Sequence, residues 1–119
     1  MPADRNKEKA DVFDRAGMLE RLMDDEELAR KLIAAFLKDI PQRFDTLREC
    51  LEEGNVKGVE RMTHLIKGAS ASVGGNALTA VAYMMEKASR AGNLDGIKEG
   101  VGKLESEFGK LKQAMEEEM

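Results

Sequence analysis

The chain has no tryptophan, one tyrosine and four phenylalanines in 119 residues. It also has only two prolines and few β-branched runs, and this combination argues against a sheet protein. Cys50 stands alone, so there is no intramolecular disulfide. The absence of any CxxC or Cys/His cluster argues against a zinc site, and Cys50 is expected as a small core residue rather than a nucleophile. No apolar run reaches membrane-spanning length, and no membrane partner is expected. The opening MPADRNKEKADV is polar and lacks the apolar stretch of a secretory signal, so the expected location is the cytoplasm. Residues 1–12 read as a polar tail or the end of a linker. The net charge is −4 and no basic patch dominates, which argues against nucleic acid as a partner. There is no Walker-type loop, no Ser/His/Asp set, no internal repeat and no low-complexity tract.

What remains is 42% hydrophobic and 35% charged, the mix of a charge-rich helical protein, at a length that suits one domain. Three Gly-Asn dipeptides punctuate it: Gly54-Asn55, Gly75-Asn76 and Gly92-Asn93. Glycine suits the left-handed residue past a helix end, and asparagine suits the next N-cap. They predict four helical segments, Asp24 to Glu53, Asn55 to about Gly74, Asn76 to Ala91, and Asn93 to about Met115. Turns this short imply antiparallel neighbours. A short leading helix, about Arg15 to Met23, would cover one bundle end. The first long segment carries Leu28, Leu32, Phe36, Ile40, Phe44, Leu47 and Leu51 in one phase across Pro41, so a kinked helix is expected there rather than two. The last carries Leu94, Ile97, Val101, Leu104, Phe108, Leu111 and Met115 at alternating spacings of three and four. The fold expected is all-α: an antiparallel up-down four-helix bundle with a short additional N-terminal helix, the bundle domain spanning residues 13–116.

The only histidine, His64, lies opposite the apolar stripe of its segment. At 100° per residue, Val59, Met62, Leu65, Ile66, Ala69 and Val73 form that stripe, and His64 falls roughly 170° from its centre. Lys57, Glu60, Lys67, Gly68, Ala71 and Gly75 share the outward face. Gly68 costs about 1 kcal/mol relative to alanine in a helix interior, a cost that makes sense if a partner or a bulky anion must approach the imidazole. Lys67 could neutralise a negative group on the ring. By spacing alone, a plain surface histidine and a chemical one stand at equal weight. A lone histidine with no second ligand cannot hold zinc, so no metal site is expected.

His64-Leu65-Ile66-Lys67-Gly68-Ala69-Ser70-Ala71-Ser72-Val73-Gly74, followed by Leu78 and Met85-Glu86-Lys87-Ala88-Ser89-Arg90-Ala91-Gly92, resembles the histidine phosphotransfer (HPt) domain. The likeness extends upstream to Phe36-Leu37-Lys38-Asp39-Ile40-Pro41 and covers almost the whole chain. It implies a phosphocarrier in a multistep two-component phosphorelay, not an enzyme with its own ATP-binding or kinase domain. His64 would take a phosphoryl group from a receiver-domain aspartate and pass it to another receiver. Lys67 would match the lysine near the phosphate and Gly68 the glycine that leaves room for it. Two readings stand for Glu86: it orients the imidazole, or it is a flank residue paired with Arg90. Lys57, Glu60, Arg61, Ala71, Gly75 and Arg90 are the candidates for docking the partner. No cofactor is expected on this chain, because the resemblance places magnesium on the receiver. The partners implied are receiver domains of response regulators or hybrid kinases, and the chain is expected to be a monomer. The alternative is a helical bundle that docks receivers without being phosphorylated.

Overall fold

A computed structural model describes residues 11–118. Five helices follow in order: α1 Arg15–Arg21, α2 Glu26–Glu52, α3 Val56–Ser72, α4 Asn76–Arg90 and α5 Leu94–Glu118. No strand occurs among the described residues. The four longer helices form the antiparallel up-down bundle, with α1 laid across the end where α3 passes into α4. There the Asp14 backbone N–H donates to the Gly74 carbonyl at 2.8 Å, and Arg21 donates to the carbonyl of Ala71 at 3.1 Å. No described helix is long and apolar enough to cross a membrane. Of the expected tail, residues 1–10 lie outside the described residues. Asp11 and Val12 are helical, and Val12 packs against the core.

Local chemistry sets the helix boundaries. Asp14, Asp25, Asn55 and Asn93 each accept the N–H three residues on, at 2.9–3.0 Å, and so satisfy one of the free donors at a helix start. At the C-termini of α2, α3 and α4 the turn is the same. A glycine in the left-handed region donates to the carbonyl three residues back, and the next residue donates to the carbonyl five back. Gly54, Gly74 and Gly92 are those glycines, with φ of +70°, +79° and +68°. The expected Gly75-Asn76 junction is therefore displaced by one residue. Gly74 takes the left-handed position, Gly75 is the N-cap with φ −84°, and Asn76 is the first helical residue. Gly74 also meets the backbone of Asp14, where an added Cβ would lie 2.5 Å from the carbonyl oxygen.

The helix α2 runs unbroken through the exposed Pro41. It buries Ala29, Ile33, Phe36, Ile40, Phe44, Leu47 and Cys50, whereas Leu28 is exposed. From α5, Ile97, Leu104, Leu111 and Met115 are wholly buried. The ring of helices closes between α2 and α5 through aromatic side chains. Phe108 meets Phe44 edge-on at 5.3 Å and Phe36 at 6.1 Å, pairs of a kind worth about 0.5–1.5 kcal/mol each beyond their burial.

The buried face of α3 differs from its apolar stripe. Val59, Thr63, Ile66, Ser70 and Val73 are buried, while Leu65 is 38% exposed. Thr63 and Ser70 can occupy the core because their hydroxyls donate to the carbonyls of Val59 and Ile66 one turn back, at 2.9 and 2.6 Å. That rotation brings His64 to roughly 140° from the centre of the buried face, close to the edge shared with α4.

Candidate functional site

The site lies where the outward face of α3 meets α4. The His64 side chain is 63% exposed, and its Nδ1 lies 3.0 Å from Glu86 Oε2. Glu86 comes from the middle of α4, and its side chain is only 2% exposed. A carboxylate at that depth needs partners, and it has three. His64 and Lys67 Nζ reach Oε2 at 3.0 and 3.2 Å, and Lys67 also reaches Oε1 at 3.3 Å. Arg90 reaches Oε1 at 2.8 Å and is held in turn by Glu60 at 2.9 Å. Burial pushes the Glu86 carboxyl up, but the hydrogen bonds from His64 and Lys67 and the charges of Lys67 and Arg90 together outweigh it. The group is held below its ordinary pKa and stays ionised.

An ionised carboxylate only accepts, so the ring nitrogen facing it must carry the proton. The His64–Glu86 bond thus selects the Nδ1–H tautomer and leaves the Nε2 lone pair free on the exposed ring. Gly68, one turn on, is exposed, and a Cβ placed on it would meet nothing within 4 Å. A bulky group can therefore approach the ring from that side. The arrangement can present a fixed nucleophilic nitrogen, with an ammonium nearby and open space in front.

Both contacts named for Glu86 are present, Oε2 to His64 and Oε1 to Arg90, but the residue is buried and not on the flank of its helix. Of the docking candidates, Lys57, Arg61 and Ala71 are exposed, Glu60 is half-buried and paired, and Arg90 is exposed and doubly paired. Gly75 is a correction. It is buried, and its added Cβ would lie 2.6 Å from Leu111 Cδ2, so it belongs to the contact with α5 and not to the outward face. Two neighbours were missed. Lys67 Nζ and Lys87 Nζ each lie 5.4 Å from the centre of the Tyr83 ring. The signal was present in the spacing: Tyr83, Glu86, Lys87 and Arg90 fall three, four and seven residues apart and share one face of α4. Among the described residues, no three His, Cys, Asp or Glu side chains gather to hold a metal ion.

The sequence profile described as "Hpt domain" matches residues 31–117. Among solved structures, the chain is similar to the histidine-containing phosphotransfer protein MtHPt2 from Medicago truncatula. The TM-score is 0.80 at 24% identity, over 96% of this chain and 80% of that one. It is also similar to the histidine-containing phosphotransfer protein ZmHP2 from maize, with a TM-score of 0.75 at 20% identity over 88% and 78% of the two chains. At these identities the likeness concerns the fold. No curated protein sequence matches the chain.

Proposed function

The chain belongs to the Hpt domain family, and from that premise we propose that His64 receives a phosphoryl group from the aspartate of one receiver domain and passes it to the aspartate of another. Histidine phosphotransfer in a phosphorelay is the role of the family; the direction of traffic and the residue roles are our reading. The Nε2 lone pair attacks phosphorus, the bond from phosphorus to the aspartyl oxygen breaks, and the aspartate leaves as carboxylate. No proton has to move. The ring keeps its Nδ1–H and becomes cationic, and the Glu86 carboxylate 3.0 Å away stabilises that charge. In the second half-reaction a carboxylate oxygen of the next receiver attacks, the P–N bond breaks, and the ring returns neutral.

Phosphoryl transfer of this kind needs alignment and charge neutralisation more than covalent help. Lys67 supplies a cation on this chain, and the receiver supplies the magnesium. Lys57, Arg61 and Ala71 frame the exposed ring where the receiver docks, and the protein works as a monomer. The observation that carries the reading is the bond from Nδ1 to a buried, ionised Glu86, which leaves Nε2 as the reactive atom. The test is incubation with a labelled phospho-receiver. Wild type should acquire label that is labile in acid and stable in base, as a phosphoramidate is. His64→Gln should acquire none. Label retained by the folded variant would refute the assignment, and docking without labelling of wild type would favour the bundle that only binds receivers.

A further inference from the structure

We infer that Tyr83 is a positioning residue for Lys67, keeping its ammonium beside His64 while leaving its N–H groups free to turn toward the phosphoryl group. The inference rests on the phosphocarrier reading above. Three observations carry it. Lys67 Nζ stands 5.4 Å from the centre of the Tyr83 ring, within reach of a cation–π attraction. The same nitrogen is 3.2 Å from Glu86 Oε2, the oxygen that also holds the imidazole. And Tyr83 is 47% exposed, so its ring is not there to fill the core.

Glu86 alone is a poor anchor for Lys67 once the ring is loaded. Its oxygens are already shared with His64 and Arg90, and the imidazole becomes cationic on phosphorylation. The ammonium then has to turn from the carboxylate toward the new phosphoryl oxygens. A hydrogen-bonding anchor would be lost in that turn. An aromatic face is different: it attracts the positive charge without requiring a particular N–H direction. Lys67 can therefore rotate while its nitrogen stays in place. Against water, a neutral nucleophile, a cation on the phosphoryl oxygens chiefly stabilises the charge of the loaded state, part of which moves to the ring nitrogen as the P–N bond loosens; against a receiver carboxylate the same cation relieves charge repulsion. The ring of Tyr83 should thus lengthen the life of the phosphohistidine. Its hydroxyl takes no part.

The test needs no receiver. His64 is loaded with phosphoramidate, whose P–N bond breaks with loss of ammonia, and decay is followed in wild type, Tyr83→Phe, Tyr83→Leu, Lys67→Ala and the Tyr83→Leu/Lys67→Ala double variant. Tyr83→Leu should shorten the lifetime about two- to five-fold, the size of an exposed cation–π contact. Tyr83→Phe should match wild type. Tyr83→Leu should add nothing once Lys67 is alanine. In parallel, the side-chain NMR signals of Lys67 should show a ring-current displacement in wild type and Tyr83→Phe that is lost in Tyr83→Leu. A lifetime unaffected by Tyr83→Leu, an effect that persists without Lys67, or an absent ring-current displacement would overturn the inference. A wild-type chain that takes no phosphoryl group would sink the phosphocarrier reading itself, while the NMR comparison would still judge the Tyr83–Lys67 contact.

Discussion

Two glycines inside helices should respond to alanine with opposite signs, and the difference isolates what Gly68 is for. Glycine in a helix interior is about 1 kcal/mol worse than alanine. At Gly68 a Cβ meets nothing within 4 Å, so Gly68→Ala should recover that amount without strain. At Gly100 the Cβ would run into Met85 Cγ, a carbon near the backbone of α4 that cannot simply swing aside. Overpacking of this kind costs about 1–3 kcal/mol, so Gly100→Ala should lose more than it gains. For 119 residues, at about 2 cal/mol/K of unfolding entropy each, about 1 kcal/mol moves Tm by about 4 °C. Gly68→Ala should therefore melt about 4 °C above wild type, and Gly100→Ala below it. Gly68→Gln should also melt at or above wild type, yet it places a long side chain one turn from the imidazole. Transfer from a labelled phospho-receiver should fall about tenfold, equivalent to about 1.4 kcal/mol of barrier. A stabilised variant that transfers more slowly identifies Gly68 as a residue kept for access. Unchanged transfer in Gly68→Gln would show that the partner does not approach over this turn, and a lowered Tm in Gly68→Ala would show that the space is not open.

Glu86→Gln should preserve the fold and weaken it near neutral pH. Because the folded carboxyl lies below its ordinary value of 4.5, its stabilisation is present above that pH and is lost as pH falls through the lower folded value; the melting temperatures of wild type and variant should converge there, and a gap that widens in acid would refute the assigned charge network. Phe108→Ala should cost about 2–4 kcal/mol in a urea titration, since the ring closes α2 onto α5, and a loss under 1 kcal/mol would show that the seam is held elsewhere. His64→Gln should change stability by less than about 1 kcal/mol, because the ring is largely exposed and Glu86 keeps Lys67 and Arg90; a large fall in Tm would contradict that exposure.

Helix number, order and most boundaries were legible because caps and glycines act locally. Asn55 and Asn93 sit at N-caps as their side chains dictate. The turn at Gly74-Gly75 was misplaced because either glycine could take the left-handed position, and only the contact with Asp14 decides between them. The facing of α3 differs by about 50° from its apolar stripe, since an apolar count cannot register Thr63 and Ser70, whose hydroxyls are satisfied within their own helix. His64, Lys67 and Gly68 were visible as a pattern along one helix. The convergence of His64 and Lys67 on Glu86 was not legible in the spacing, and only the family resemblance suggested its His64 part, because Glu86 belongs to α4 and which α4 face meets α3 is a matter of packing.

Among the described residues, the groups that touch the His64 ring and its partner Glu86 all come from two adjoining helices, α3 and α4. This arrangement has a consequence for traffic. In the relay role proposed above, one accessible nitrogen on one face would admit one visitor, so a donor and an acceptor would take turns. Each would exclude the other, and an unloaded acceptor that lingered on an empty carrier would delay its refilling. Flux through such a relay should rise with acceptor concentration, pass a maximum and then decline, a queue set by the shape of a surface and not by the speed of the chemistry.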